Sequence, residues 1–227
     1  MKRTAIPELL DSDAGTPSEI DASLSDLNRI NRWFGGIATT QSLVGHVARE
    51  LGSKSLSMLE VAAGAGTVPA AVATALAGSG IQIEVTLLDR AASHLKNGNR
   101  RAVAGDALAL PFSDRSFDLV SSTLFVHHLT PDEVVRFANE GLRVCRAAVV
   151  VNDLVRHPTH LGLVYAGMPL YRSRITRHDA PASVWQAYTV KEMEDMLRKS
   201  NAARVEITRH LLFRMGVIAW KSAPGAK

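Results

Sequence analysis

Hydrophobic and polar positions along this chain follow strand-like and helix-like periods in alternation. Residues 58–67 read MLEVAAGAGT, in which a buried strand pattern is followed by a turn of small residues, and a helical pattern continues at 68–77. Further strands are predicted at 81–88, 101–107, 117–125 and 147–152. Strands that alternate with helices are typical of an α/β fold, in which a parallel sheet is covered on both faces.

Both ends of the chain depart from this alternation. Residues 1–15 have scattered charges and little periodicity, so we expect a loose tail there. The last two strands, predicted at 203–212 and 214–220, are joined so tightly that they should pair antiparallel. We therefore divide the chain into a flexible tail (1–15), two helices that cover the site (16–52), the sheet domain (53–221) and a fraying end (222–227).

The turn after the first strand has the composition of a ligand cradle. Gly64 and Gly66 permit backbone angles that a Cβ would penalise, so main-chain N–H groups can approach a ligand at the start of the next helix. The second strand ends at Asp89, where a βαβ nucleotide site places an acid that accepts hydrogen bonds from ribose hydroxyls. The glycines alone would also fit any tight turn, and Asp89 would also fit a helix N-cap. Together they favour a nucleotide site.

Taken in order, these segments resemble one family. LEVAAGAGT at 59–67, Asp89, GDA at 105–107 and FDLV at 117–120 are similar to the motifs of the class I S-adenosylmethionine-dependent methyltransferases, above all the branch that acts on quinones, sugars and polyketides. The resemblance covers most of the chain. It implies a Rossmann-like sheet of parallel strands with an antiparallel C-terminal strand and helices on both faces. It also implies S-adenosyl-L-methionine as cofactor and a small molecule as acceptor.

The resemblance also assigns residues to the cofactor. In this family the acid at Glu60 and the glycine turn lie under the methionyl part, and the acid at Asp89 holds the ribose. Asp106 and Ala107 border the adenine. The family commonly has glycine where Ala62 stands, and a methyl group there fits if that backbone keeps an ordinary conformation. The assigned residues are Glu60, Ala62, Ala63, Gly64, Gly66, Asp89, Arg90, Gly105, Asp106 and Ala107.

One face of the first predicted helix could extend this site. In similar enzymes the helices before the glycine turn cover the cofactor, and Arg32 has the charge to pair with its methionyl carboxylate. The alternative is a solvated polar face, with Trp33 as the residue that anchors the helix in the core.

A histidine pair follows the strand predicted at 117–125, and Asp153 follows the next strand. Because parallel sheets carry their chemistry at the carboxyl ends of strands, His127, His128 and Asp153 should converge on one acceptor group. Imidazole, with a pKa of about 6.5, can take the proton of a phenol whose pKa is about 10, while an aspartate fixes its tautomer. Several sugar and polyketide O-methyltransferases of this family share the pattern. We therefore expect general-base catalysis by these three residues.

The choice of base stays open between the two histidines. The alternative is that one ring is buried and bonded to the backbone while the other lines the cofactor pocket. A third hypothesis is methyl transfer assisted by a metal ion. Metal-dependent O-methyltransferases present acids after these strands together with an adjacent asparagine, and Asn152-Asp153 matches half of that arrangement. Imidazole is a poorer ligand for Mg²⁺ than the missing carboxylate, so we expect no bound metal.

Residues 156–187 are longer than a plain connection between a strand and a helix. They contain prolines, aromatic side chains and a basic cluster formed by Arg172, Arg174, Arg177 and His178. Insertions at this point close the acceptor pocket in related enzymes, so we expect a flat, apolar acceptor that carries an acid or a phenolate. The alternatives are a surface excursion and a contact within a homodimer.

Composition narrows the range of partners. A net charge of +4 and a pI near 9.5 allow an anionic substrate and do not require nucleic acid. The sequence has no signal-peptide pattern or membrane-spanning apolar run, and its single cysteine, Cys145, permits no intrachain disulfide. We therefore expect a cytoplasmic protein without membrane or nucleic-acid partners.

These features together favour an enzyme that methylates an aromatic or polyketide-type hydroxyl of a small molecule. Two alternatives stay open. One is an RNA or protein methyltransferase, although the Asn-Pro-Pro-Tyr type of signature for methylation of base amino groups is missing from the sequence. The other is a non-catalytic subunit that binds S-adenosylmethionine.

Overall fold

A computed structural model describes residues 1–12, 14–91, 95 and 101–222. The tail predicted at 222–227 therefore lies outside the described residues, apart from Ser222. The helices of the described chain are α1 (Pro17–Trp33), α2 (Gly36–Glu50), α3 (Thr67–Ala77), α4 (Pro131–Val144), α5 (Pro158–Ala166), α6 (Arg174–Gln186) and α7 (Val190–Leu197). Its strands are β1 (Ser55–Val61), β2 (Gln82–Asp89), β3 (Arg101–Ala104), β4 (Phe117–Thr123), β5 (Cys145–Leu154), β6 (Arg204–His210) and β7 (Arg214–Trp220).

The strands of the described chain form one sheet in the order β3-β2-β1-β4-β5-β7-β6. Strands β1 to β5 pair in parallel, whereas β7 pairs antiparallel with both β5 and β6. The predicted fold class is therefore confirmed. The strand order reverses between β1 and β4, and open α/β sheets bind ligands in the crevice outside the carboxyl ends of strands at such a point.

Apolar side chains cover both faces of the sheet, which explains the apolar run in the central strands. In β1, Leu59 and Val61 pack into the cluster formed with α4 and α7, and Met58 packs into the cluster formed with α2 and α3. Three helices begin at a capping box, in which Thr16, Thr130 or Thr189 pairs with a glutamate three residues later. These local signals set where α1, α4 and α7 begin.

The N-terminal segment (residues 1–12) is held against the sheet domain, where the sequence predicts a loose tail. The Arg3 guanidinium donates to the carbonyls of Gln186, His127 and Leu129 at 2.6, 2.8 and 2.9 Å. The backbone N–H groups of Leu9 and Leu10 donate to the Asp179 carboxylate on α6 at 2.9 and 3.1 Å. These contacts are made by single polar groups, so they leave no periodic signal in the sequence.

Trp33 does not anchor α1 in the core, because its side chain is 68% exposed. Asn31 is buried instead and accepts a hydrogen bond from the buried Arg214 guanidinium at 3.0 Å. This bond ties the end of α1 to β7. Across the residues described, none of the helices combines the length and the hydropathy needed to cross a membrane.

Candidate active site

The turn between β1 and α3 is built from residues with left-handed backbone angles. Gly64 has φ +50° and Gly66 has φ +67°. A Cβ on Gly66 would lie 2.6 Å from Leu87 Cδ1, so glycine is required there for packing as well as for conformation. A Cβ on Gly64 would meet no described atom within 4 Å. Gly64 therefore borders open space, as the floor of a ligand site would.

Ala62 also adopts a left-handed conformation, with φ +55°. The condition under which a methyl group would fit, an ordinary backbone, is therefore not met at this position. The left-handed region costs a residue with a Cβ about 1–2 kcal/mol. The turn forms nonetheless, since the Ala63 N–H donates to Leu88 O at 3.0 Å and the Gly66 N–H donates to Ala63 O at 2.9 Å.

Glu60 lies under this turn and is 2% exposed. Burial raises the pKa of its carboxyl to about 7. Its Oε2 atom has no hydrogen-bond partner within the described parts of the chain. A buried oxygen of this kind is costly unless a donor reaches it, so the site favours a ligand that brings a cation or an N–H group.

Asp89 connects the end of β2 to the glycine turn. Its Oδ2 accepts from the Gly64 N–H at 2.7 Å, and its Oδ1 accepts from the Ala91 N–H at 2.9 Å. A carboxylate has about four acceptor positions, so two of them stay available for hydroxyl groups. The bond to Ala91 also suits the helix N-cap considered above, but residues 92–94 lie outside the described residues.

The other residues assigned to the cofactor border the same crevice at lower burial. The Gly105 N–H donates to Asp89 O at 3.0 Å, which places the end of β3 beside Asp89. Asp106 is exposed and accepts from the Leu108 N–H at 2.9 Å, whereas Ala107 is half-buried. Arg90 is exposed next to Asp89. Their contacts with a cofactor stay predictions.

Helix α1 passes over the start of α3. The Thr67 hydroxyl donates to the Asn28 side-chain oxygen, which fixes this crossing beside the glycine turn. Arg32 lies one helical turn beyond Asn28 and is exposed. Its place at the rim is compatible with pairing to a ligand carboxylate, and that pairing stays a prediction.

The histidine turn (residues 126–128) is the second strand-end feature of the site. Leu124, which precedes it, has φ +57°. The turn brings His127, His128 and Asp153 together, with the two imidazole centroids 4.2 Å apart. His127 Nδ1 lies 2.7 Å from Asp153 Oδ1, and the His127 N–H donates to Asp153 Oδ2 at 3.0 Å. Asp153 therefore holds both the backbone and the ring of His127.

The charges of His127 and Asp153 shift each other's pKa. Burial alone would lower the pKa of His127, but the Asp153 carboxylate and then Glu8 outweigh it and raise the pKa to about 10. Burial alone would raise the pKa of Asp153, but the facing imidazolium holds it below its usual value. His127 is thus a cation between two carboxylates in this conformation, and an imidazolium cannot accept a proton.

Glu8 and Asp11 of the N-terminal segment are site residues that sequence reasoning missed. Glu8 Oε1 lies 3.5 Å from His127 Nε2, and Glu8 Oε2 lies 3.9 Å from His128 Nε2. The Ser183 hydroxyl of α6 donates to Glu8 at 2.6 Å. Asp11 Oδ2 lies 2.9 Å from His128 Nδ1. No periodicity surrounds these acids, so only their charge could have drawn attention to them.

Asn152 does not join the acid site, although it precedes Asp153. Its side-chain amide donates to Gly36 O at 2.7 Å and to the Thr40 hydroxyl at 2.9 Å, and its oxygen accepts from Arg214. Neighbouring residues of a strand point to opposite faces, so Asn152 binds the start of α2 while Asp153 binds His127. The asparagine–aspartate half of a magnesium site is therefore not formed.

The insertion at 156–187 forms α5, a short 3₁₀ turn and α6. Its basic cluster is largely engaged at the surface: Arg174 pairs with Glu19 at 2.9 Å, and His178 lies 2.8 Å from Asp179. Helix α6 instead carries the N-terminal segment over the histidine turn. Leu163 and Tyr165 of α5 are 50% and 52% exposed, so this helix has an apolar surface.

Known proteins resemble this chain in both sequence and structure. Residues 58–148 match the family described as a methyltransferase domain. This range holds the glycine turn, Asp89 and the histidine turn, but neither Asp153 nor the N-terminal segment. A demethylmenaquinone methyltransferase from Renibacterium salmoninarum is 37% identical over 109 residues, which make up 45% of this chain and 42% of that protein. The chain thus spans less than half the length of this relative.

Two solved structures extend the likeness beyond the matched range. The plantazolicin methyltransferase BpumL, in complex with a triazolic desmethylPZN analog and SAH, superposes with a TM-score of 0.71 over 95% of both chains at 11% identity. A SAM dependent methyltransferase from Aquifex aeolicus superposes with a TM-score of 0.55 at 17% identity, over 78% of this chain and 89% of that one. Because both sequence identities are low, these superpositions show that the chain shares the fold of the two structures.

Proposed function

We propose that this chain, which carries a class I methyltransferase domain as its motifs predict, binds S-adenosyl-L-methionine and methylates a small molecule. The relatives support this class of reaction, since they include a demethylmenaquinone methyltransferase and a plantazolicin methyltransferase. The bound cofactor supplies a methyl group on a sulfonium, and the chain's own residues hold the cofactor and manage the acceptor proton.

The observation that carries the proposal is the open, left-handed Gly64 in the turn that follows β1, together with the buried Glu60 Oε2 atom of β1, which lacks a hydrogen bond within the described residues. A methionyl ammonium would give Glu60 Oε2 the donor that it lacks. The space beside Gly64 is the space that a side chain would fill, and the free acceptor positions of Asp89 suit ribose hydroxyls. The residues present therefore fit the cofactor.

Gly64 and Gly80 form a matched pair for testing this proposal. Both have positive φ, at +50° and +79°, and a Cβ on either would meet no described atom within 4 Å. Gly64→Val and Gly80→Val therefore introduce similar backbone strain, but only the former fills the proposed site. We expect Gly64→Val to weaken S-adenosylhomocysteine binding at least ~100-fold and Gly80→Val less than about threefold, measured by calorimetry. Equal affinities in the two variants would remove the glycine turn from the cofactor site.

We further propose that the acceptor is a hydroxyl group and that His127 is the better candidate for the general base. Asp153 fixes the His127 ring through Nδ1, which leaves Nε2 facing the interior. Glu8 occupies the space in front of Nε2, so an acceptor must displace Glu8 before His127 can take its proton. Displacement also removes one of the two carboxylates that hold His127 in the charged form.

The base proposal is tested with a panel of phenols and quinols as acceptors. His127→Ala should lower kcat about 100-fold, because general-base catalysis contributes roughly that factor or more, while S-adenosylhomocysteine affinity stays within about threefold. His46→Ala, at a surface histidine that pairs with Glu206, should leave both unchanged. Full activity in His127→Ala would end the base assignment. Cofactor binding without turnover of the panel would favour the other acceptor classes or a non-catalytic subunit.

A further inference from the structure

The N-terminal segment places a carboxylate between two imidazoles, and no step of methyl transfer requires this arrangement. Glu8 Oε1 lies 3.5 Å from His127 Nε2, and Glu8 Oε2 lies 3.9 Å from His128 Nε2. One ligand atom from each of these three residues lies within 4.8 Å of the others. Within the described residues, no other group of three or more histidine, cysteine or acidic side chains converges in this way.

The ring nitrogen at the centre of this cluster faces Glu8 in an ion pair but makes no hydrogen bond within the described residues. The His127 side chain is 2% exposed, and its Nε2 makes no hydrogen bond to any part of the chain that the structure describes. A buried polar atom without a hydrogen bond is destabilising. The 3.5 Å between His127 Nε2 and Glu8 Oε1 is close to the separation of two ligand atoms on one tetrahedral metal ion.

Both imidazoles are oriented by a carboxylate on the far side of the ring. Asp153 lies 2.7 Å from His127 Nδ1, and Asp11 lies 2.9 Å from His128 Nδ1. Histidines that bind metals almost always give their other ring nitrogen such a partner, which fixes the tautomer and makes the ligating nitrogen more basic. Both Nε2 atoms are thereby turned towards Glu8.

We propose that Glu8, His127 and His128 bind one Zn²⁺ ion. Two imidazoles and one carboxylate are a zinc ligand set that leaves a fourth position open, whereas Mg²⁺ and Ca²⁺ prefer oxygen ligands. Zinc bonds of about 2.0–2.1 Å require ligand atoms about 3.3 Å apart, so the Glu8–His127 pair at 3.5 Å is already close to this spacing, and the other ligand atoms, within 4.8 Å of one another, must move closer. The side chains of Glu8 and His128 can supply this movement, because both are partly exposed.

Metal binding at this site has a structural consequence. Two of the ligands belong to the histidine turn and the third to the N-terminal segment, so a bound ion would fasten that segment over the acceptor side. It would also occupy the Nε2 atom that the general base needs, so one molecule cannot use both. The binding test uses the metal alone, and its result is independent of whether the chain transfers methyl groups.

The test is a titration of the metal-free chain with Zn²⁺, monitored by calorimetry, with Co²⁺ absorption as a second readout. We expect one ion per chain. Glu8→Gln and His128→Gln should each weaken binding at least ~10-fold, and Asp153→Asn should weaken it about 10–100-fold through the orientation of His127. Glu194→Gln is the matched control, since it removes an exposed carboxylate that pairs with Arg198 at 2.6 Å, and it should leave binding unchanged.

Glu8 and His128 are partly exposed, so their variants should fold, and circular dichroism verifies this. The proposal is overturned if no stoichiometric binding is found, or if Glu8→Gln binds Zn²⁺ as tightly as Glu194→Gln. It is also overturned if His46→Gln, rather than His128→Gln, abolishes binding, because the ion would then lie near the His46–Glu206 pair.

Discussion

The ends of β1 and β4 have similar backbone structures, but they differ in what lies against them. Each is followed by a residue other than glycine in a left-handed conformation, Ala62 with φ +55° and Leu124 with φ +57°. At each, an acid from the neighbouring strand accepts a backbone N–H: Asp89 from Gly64 at 2.7 Å and Asp153 from His127 at 3.0 Å. Among the residues that the structure describes, nothing fills the space beside the first end, whereas the second is covered by the N-terminal segment. The same construction thus borders an open space at one strand end and a segment of the chain itself at the other.

The buried charged groups at the two strand ends also differ. Glu60, under the first strand end, is a buried carboxyl whose pKa is raised to about 7 because burial is not offset by a cation. Asp153, at the second, is equally buried, but the His127 imidazolium keeps its pKa below the usual value. Among the described residues, the Glu60 carboxyl at the end of β1 therefore has no positive partner, whereas the charges at the end of β4 are paired within the chain.

Replacing Asp153 should mainly lower the stability of the fold, whereas replacing Asp89 should mainly abolish binding of the cofactor product. Asp153→Ala leaves a buried imidazole and a buried N–H without their partner, so it should lower the free energy of unfolding by about 3–5 kcal/mol. Asp89→Ala removes two backbone contacts at the edge of the crevice and should cost about 1–2 kcal/mol while abolishing S-adenosylhomocysteine binding. Urea unfolding and calorimetry measure these quantities. Equal stability losses would contradict the difference drawn between the two strand ends.

The structure at the end of β1 was predictable because its sequence signals are local. The strand, the glycine turn and Asp89 are near neighbours in the sequence, and the fold class and the family resemblance derived from them are confirmed. The strained angle at Ala62 was not predictable, because φ depends on how the turn packs. At the end of β4, the order of the strands in the sheet brings His127 next to Asp153. Glu8 reaches the same point from over 100 residues away through single polar contacts with α6, which no periodicity records.

The pH dependence of stability tests whether the Glu60 carboxyl at the end of β1 is buried without a positive partner. Its folded-state pKa of about 7 lies above the ordinary value of 4.5, so the folded chain binds the proton more tightly than the unfolded chain. The contribution of the Glu60 carboxyl to the stability of the ligand-free chain should therefore be present in full below about pH 4.5 and be lost as the pH rises through 7, by about 3 kcal/mol. Glu60→Gln should lose this slope, as measured by urea unfolding at several pH values. A wild-type curve parallel to that of the variant would show that Glu60 does not titrate in this range.

The smallest expected effect concerns the strain at the end of β1. Glycine relieves the left-handed angle of Ala62 but gives the unfolded chain more freedom, and the two terms are similar in size, at about 1 kcal/mol each. Ala62→Gly should therefore change the free energy of unfolding by less than about 0.5 kcal/mol, whereas Ala75→Gly, inside α3, should cost about 1 kcal/mol because only the second term applies. If both substitutions cost the same in urea unfolding, the left-handed angle at Ala62 is not present in solution. The turn would then differ from the one at the end of β4, and the likeness between the two strand ends would be lost.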